Sequence, residues 1–398
     1  MRRLLFLLCL LGFSLNLLSQ VIGPKVIELT KKDLEKSPST LSAIADRISF
    51  VKLETVPGAF IGSADSYYCL QIPAGFIIYP GQGKEDIMLF DKAGKLKTKI
   101  GRIGRGPGEY TDYYRVKYDE YNDQILVFRI FMDWVLIFSS EGKYIKTVTV
   151  EKGDVRLDYL MVFDKSHWMY TYEKPLDGEF SEVGVLKIDH NGRVIKKYNL
   201  TEKSYPGCYG NSAQRNLLYR SGNDILYSYF PFSKTLRLTT ADSWELAYVL
   251  KSPVPEGPLE LYSRNGYEKQ MLYQMENGVI ISFAVYPGLI KIIGAGPIAF
   301  NILIDRKTGE KHSWNLVKEA EDSGLIDDLA GGPPIKIGLI NNENNSVGMI
   351  DAQKILALRD KGLLGKTYKD KKSFEEMNTI LNRTKVDDNP IIWIVHIK

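Results

Sequence analysis

From Ile48 onward the chain alternates short apolar runs with Asp/Asn/Gly turns, and the runs carry strand rather than helix periodicity. "DIMLFDKAGKLKTKI" turns around Gly94, "WVLIFSSEGKYIKTVTV" around Gly142 and "VGVLKIDHNGRVIKKYNL" around Gly192, each joining one β-rich run to another. These glycines lie 48 and 50 residues apart, a period that fits one four-stranded propeller blade per repeat. Later members are looser. "DILYSYFPFSKTLRLT" turns near Ser233 and Lys234, "GVIISFAVYPGLIKII" reads as inner strands, and "AFNILIDRKTGEKHSWNL" turns near Gly309. With "RISFVKLETVPGAFIG" before the first clear hairpin and "NSVGMI" after the last, about six blades span Ile48 to Ile350. An isolated four-stranded sheet buries neither face, whereas sheets packed radially cover both. A pair of immunoglobulin-like sandwiches shares the composition but needs no hairpins at this spacing. The predicted fold is therefore all-β, a six-bladed propeller of four-stranded antiparallel blades.

Helical signals are confined to three stretches near the C-terminus. "DSGLIDDLAG" and "DAQKILALRDKG" have capping-type aspartates, and "KSFEEMNTILNRT" places Phe374, Met377 and Leu381 at helical spacing. The chain ends on the strand-like "DDNPIIWIVHIK", and residues 391–398 are expected to close the ring against the start of the mature chain. At the other end, Arg2 and Arg3 precede the apolar run Leu4 to Leu18 and the small residue Ser19, the order of a secretory signal peptide. Residues 1–20 are thus expected to be removed near Ser19 or Gln20, leaving 21–398 as one propeller domain exported to the periplasm or cell envelope. The apolar run is short for a membrane span, and none follows in the mature chain. Leu7 and Leu8 precede Cys9 where lipoprotein processing needs a small residue, so no lipid anchor is expected.

Charge and candidate chemistry narrow the function. The net charge of +4 becomes +2 without Arg2 and Arg3, which gives no electrostatic case for nucleic acid. Cys69 and Cys208 then remain, and buried thiols are expected rather than a disulfide. The four histidines, His167, His190, His312 and His396, lack the close spacing of short zinc motifs. Ser166 and His167 are adjacent, so on a strand they point to opposite faces, and no G-x-S-x-G elbow exists. No calcium-loop pattern is present, the acidic run Glu319 to Asp322 reads as a solvated face, and no metal or cofactor is expected. A glycosidase needs two carboxylates about 5 to 9.5 Å apart, a distance that spacing along a propeller sequence does not reveal.

The most unusual stretch is "IGRIGRGPGEY", Ile100 to Tyr110. A phosphate-binding loop ends in Gly-Lys-Ser/Thr before a helix, and the dinucleotide fingerprint needs two residues before its third glycine. This stretch ends instead in Pro107, Gly108 and Glu109 and runs into the strand-forming "YTDYYRVKY". It is expected to form a corner between blades, with Glu109 accepting hydrogen bonds from an arginine or from backbone donors. A contact of Arg105 and Glu109 with a ligand at the ring opening is the alternative.

This segment also carries a resemblance. "LFDKAGKLKTKIGRIGRGPGEY", with Gly104, Gly106, Pro107, Gly108, Glu109 and Tyr110, resembles a family of exported six-bladed, NHL-like β-propellers abundant in Bacteroidetes. The C-terminal Asn389 and Pro390 and the helix-like insertions ahead of them resemble that family too. The resemblance implies a fold rather than a role and supplies no catalytic residues. Many members look like lipoproteins, and at Cys9 this chain departs from them. Aromatic content, with 24 tyrosines and 5 tryptophans, suits recognition of sugar or protein surfaces. Besides Arg105, Glu109 and Tyr110, the candidate contacts are Tyr113, Tyr114, Trp134, Tyr205 and Tyr209. The expected function is a monomeric, non-catalytic binding protein that recognises a glycan or an envelope protein through loops at one face. An extracellular hydrolase or lyase with carboxylates in the channel, and an envelope scaffold, are the alternatives.

Overall fold

The computed structural model describes residues 23–34, 39–81, 85–111, 114–129, 133–175, 181–204, 217–228, 234–253, 279–295, 300–315, 324–338, 340–341 and 343–398. Their strands form the six blades of a propeller. Blade 1 contains Tyr67–Ile72, Gly75–Pro80, Ile87–Asp91 and Leu96–Ile100. Blade 2 contains Tyr114–Asp119, Gln124–Arg129, Trp134–Ser139 and Tyr144–Thr149. Blade 3 is Arg156–Val162, His167–Pro175, Ser181–Asp189 and Val194–Ser204, and blade 4 is Leu217–Ser221, Asp224–Ser228, Lys234–Leu238 and Trp244–Lys251. Blade 5 is Val279–Val285, Leu289–Ala295, Phe300–Asp305 and Lys311–Asn315. Blade 6 takes Asn345–Ile350 and Ile391–Ile397 from the end of the chain and Ala45–Lys52 from its beginning, with Phe50 opposite Trp393 and Trp393 opposite Gly348. A further strand, Lys25–Glu28, adds in parallel to the outer edge of blade 4.

The core consists of wedges between successive blades, and the alternation of side chains along each strand builds it. In Gln124–Arg129, Ile125 and Val127 join the cluster shared with blade 1, while Leu126 and Phe128 join the cluster shared with blade 3. A middle strand is therefore buried on both faces, as Gly75–Pro80 is throughout, whereas the outer strand Tyr144–Thr149 is mostly exposed. The repeat glycines stitch the wedges together. Gly94 and Gly192 sit at φ of 82° and 88°, and a Cβ on either would lie 2.2 Å from the Lys52 carbonyl oxygen or 1.9 Å from that of Thr149, on the outer strand of the preceding blade. At the same junctions Glu54 and Glu151 donate their backbone N–H to the carbonyls of Gly94 and Gly192, each at 2.8 Å. Only glycine permits both the left-handed backbone and this approach. Gly192→Ala is expected to lower stability by roughly 2–4 kcal/mol, measured as the shift of the denaturant midpoint. A change below about 0.5 kcal/mol, the range of ordinary surface substitutions, would refute the stitching role.

Two helices, α1 (Ala352–Asp360) and α2 (Lys371–Leu381), are inserted between Ile350 and Ile391. The Asp370 carboxylate caps α2 by accepting from the backbone of Lys372 and Ser373, and the buried Ser373 hydroxyl donates to the Ile48 carbonyl at 2.6 Å. The helix thereby docks on the outer strand of blade 6. The helical expectation for "DSGLIDDLAG" is corrected in its described part: residues 324–331 form bridges and turns. Its physical reason is Asp327, whose carboxylate accepts from the backbone N–H groups of Leu329, Ala330 and Gly332 and so holds a local turn in place of a helix.

Candidate ligand-binding site

The glycine-rich segment folds around one carboxylate. Glu109 accepts from the Gly106 N–H at 2.7 Å and from Arg102 Nε at 2.5 Å, and these partners, the Gly106 N–H first, hold its carboxyl below the usual range. Arg102 and Ile103 pair in parallel with Glu109 and Tyr110, and a Cβ on Gly104 would lie 2.0 Å from the Glu109 carboxylate. The arginine engaged is Arg102, while Arg105 is exposed. Tyr110 and Tyr114 are buried, with ring centroids 4.6 Å apart. The Tyr110 hydroxyl accepts from the Ile87 N–H at 2.9 Å, and the Tyr114 hydroxyl donates to the Glu85 carbonyl at 2.5 Å. Both phenols thus tie the approach to blade 2 to blade 1 and are spent on the backbone there. Trp134 is half-buried against the same interblade cluster. Tyr113, Tyr205 and Tyr209 lie outside the described residues.

The two ends of the ring differ in their connections. Because strands within a blade are antiparallel, the first-to-second and third-to-fourth turns leave one end, and all other connections leave the opposite end. At the first end the longest turns of blades 1 to 5 are 239–243 and 306–310, five residues each. Among the described residues the opposite end carries 53–66, 101–111 and the insertion 351–390, whose Asn389 and Asp351 accept from the backbone N–H groups of Ile61 and Ala64. Long connections on a rigid scaffold are where binding residues concentrate.

Near that end, side chains from several blades converge on the axis. Arg115, second residue of the innermost strand of blade 2, has its guanidinium 5.5 Å from the centroid of the Tyr68 ring of blade 1. Its Nη1 donates to the carbonyls of Gly81 at 3.3 Å and Tyr114 at 3.1 Å. Lys117, two residues on, has its ammonium 4.2 Å from the centroid of the Tyr159 ring of blade 3 and donates to the Tyr159 hydroxyl. Burial pushes the Tyr79 phenol up, opposed by Arg115 and reinforced by Tyr68 and Tyr159. At the short-turn end, burial likewise raises the phenol of Tyr286, in the first-to-second turn of blade 5, with Tyr219 and Tyr159 adding to the shift. Tyr68 is 46% exposed. Apart from Tyr114, none of these residues was among the sequence candidates. The available signal was the basic pair in "YRVKYD", at alternate positions of a strand that opens a repeat.

A family model described as a domain of unknown function, DUF4934, matches residues 24–396. The chain belongs to that family. No curated protein sequence matches it. Among solved structures, a Bacteroides fragilis NCTC 9343 protein described as exported is similar to this DUF4934 chain with a TM-score of 0.69 at 15% identity, covering 94% of this chain and 100% of that one. A DUF4221 family member from Bacteroides vulgatus ATCC 8482 gives a TM-score of 0.50 at 10% identity over 89% and 97% of the two chains. At these identities the likeness is one of fold, and it agrees with the Bacteroidetes propeller resemblance carried by Gly104 to Tyr110. A streptogramin B lyase matches with a TM-score of 0.39 at 12% identity over 71% and 77%, which carries no activity across.

The remaining chemistry of this DUF4934 chain is dispersed or already engaged. His167 Nδ1 lies 2.9 Å from the Asp164 carboxylate, and the His190 ring stacks 4.5 Å from Trp168 with its pKa lowered by burial. His396 lies 3.1 Å from Arg47 and 3.0 Å from Ser49, and burial followed by the Arg47 charge lowers its pKa. His312 is buried in blade 5, and among the described residues no group of His, Cys, Asp and Glu is arranged to hold a metal. The Cys69 thiol is free and burial raises its pKa, so it is a poor nucleophile, while Cys208 lies outside the described residues. Burial raises the Asp327 carboxyl to about 6 despite its three backbone donors. A small cleft beside Trp393 is lined by Asp65, Asp351 and Lys354, but Lys354 faces Asp65 at 3.8 Å and Asp351 accepts from the Ala64 N–H at 2.6 Å.

Proposed function

We propose that the chain is an exported, non-catalytic binding protein that takes a glycan or a segment of an envelope protein at the long-connection end of the ring. The convergence of Tyr68, Arg115, Lys117 and Tyr159 on the axis carries this reading. Tyrosine faces and cations hold a ligand by stacking and charge. They do not supply the carboxylate pair that glycoside cleavage requires. Export is supported by the basic and apolar order of residues 1–20 and by the exported description of the B. fragilis protein of the same fold. A monomer without a lipid anchor remains the expected form of residues 21–398.

The test is direct binding of purified 21–398 to a glycan panel and to solubilised envelope fractions, with product analysis in parallel. Tyr68→Ala is expected to weaken the interaction roughly tenfold without lowering the melting temperature, because the exposed half of its ring contributes little to the core. Release of cleaved products by the wild type would overturn the non-catalytic reading. Unchanged binding by Tyr68→Ala and Tyr159→Ala would move the site elsewhere.

A further inference from the structure

We infer that Arg115 and Lys117 form an anion-binding pair at the axis and that the ligand is a glycan bearing carboxylates, such as an oligomer of uronic acids; this rests on the binding reading above. The two cations occupy alternate positions of one innermost strand, hence one face, about 7 Å apart along the chain. Both are half-buried. Cations on the outer strands of other blades meet carboxylates, Lys52 with Asp388 at 2.9 Å, Lys197 with Glu182 at 2.8 Å and Lys311 with Asp33 at 2.8 Å, whereas on the innermost strand of blade 4 Arg220 meets the Phe163 carbonyl and the Tyr121 ring. Arg115 and Lys117 have no carboxylate partner among the described residues. Their contacts are aromatic rings, a phenol and backbone carbonyls.

A half-buried charge without a counter-charge is costly unless a ligand provides one. Arg115 donates only from Nη1 to described residues, so Nε and Nη2 keep the planar fork that matches a carboxylate. The partly exposed Tyr68 ring beside the guanidinium offers a flat apolar surface on which a pyranose ring can rest while its carboxylate meets the fork. One site thereby addresses both halves of a uronic acid residue. A polyanion such as nucleic acid is disfavoured by the near-balanced charge of the whole chain.

The experiment is calorimetric titration of purified 21–398 with oligogalacturonate, a neutral galactose oligomer of equal length, a sulfated oligosaccharide and an Asp/Glu peptide, at low and high salt. Oligogalacturonate is expected to bind at least tenfold more tightly than the neutral oligomer and to weaken with salt. Arg115→Gln and Lys117→Gln should each lose at least tenfold with unchanged melting temperature, and Arg115→Lys should fall between wild type and Arg115→Gln because it keeps charge but not the fork. Equal affinity for acidic and neutral oligomers, or an unaffected double variant, overturns the assignment while leaving the binding-protein reading intact. Preference for the sulfated sugar or the acidic peptide also overturns it, and names the other anion source. No binding by any probe overturns it as well, and the envelope-fraction assay then decides the broader reading independently.

Discussion

Removal of residues 391–398 is expected to abolish cooperative folding. The deleted strand lies between Asn345–Ile350 and Ala45–Lys52, so its loss strips partners from both. Ile391, Ile392, Trp393, Ile394, Val395 and Ile397 are all buried, and at about 1.5–3 kcal/mol each their loss matches or exceeds the roughly 5–15 kcal/mol stability of an ordinary domain. The deletion also exposes two unpaired edges at the only sheet that joins the beginning and end of the described chain, which favours aggregation. The measurement is the recovery of soluble protein together with thermal and denaturant unfolding. A soluble deletion product with a sharp transition near the wild-type midpoint would show that this strand does not hold the ring together.

The second large effect is expected at Asn389, a fully buried side chain that organises the approach to blade 1. Its Nδ2 donates to the carbonyls of Glu54 at 2.8 Å and Ala59 at 2.7 Å, and its Oδ1 accepts from the Ile61 N–H at 2.8 Å. Its own N–H donates to the Thr55 hydroxyl at 2.8 Å. One amide thus satisfies three backbone groups of the connection 54–61 and anchors it to the segment that leads into the last strand. Asn389→Leu keeps the volume and removes every polar atom, leaving three backbone groups unmatched. At about 1–3 kcal/mol per orphaned group, the expected destabilisation is roughly 3–9 kcal/mol. It should appear as a lower urea midpoint with an unchanged slope. A loss under about 1 kcal/mol, less than one orphaned group costs, would mean that water or a shifted backbone replaces the amide.

These two sites show different degrees of legibility. The terminal strand was readable because five consecutive apolar residues after an Asn-Pro pair have few other fates in a β protein. Asn389 was readable only as part of a resemblance, since its partners lie about 330 residues away in sequence. Blade periodicity was clear where Gly94, Gly142 and Gly192 mark the turns, and fainter in blade 4, where Asp242 takes the left-handed position at φ of 57°. Aspartate tolerates that backbone region, so no glycine is required and the pattern weakens. The helix expected within "DSGLIDDLAG" fails for a related reason: Asp327 uses its carboxylate locally, and sequence spacing does not say whether an aspartate caps a helix or replaces it.

By itself, then, the sequence determined the strand periodicity, the repeat length, the blade count and the corner made by Gly104 to Tyr110, because these follow from local backbone preferences and nearest-neighbour packing. Only the tertiary structure decided that Arg102 rather than Arg105 meets Glu109, that Tyr110 and Tyr114 are interior, and that Tyr68, Arg115, Lys117 and Tyr159 gather at the axis. The alternation of a strand shows which side chains share a face. Which faces meet across the ring depends on closing six blades around one axis, and that closure joins residues no local rule connects.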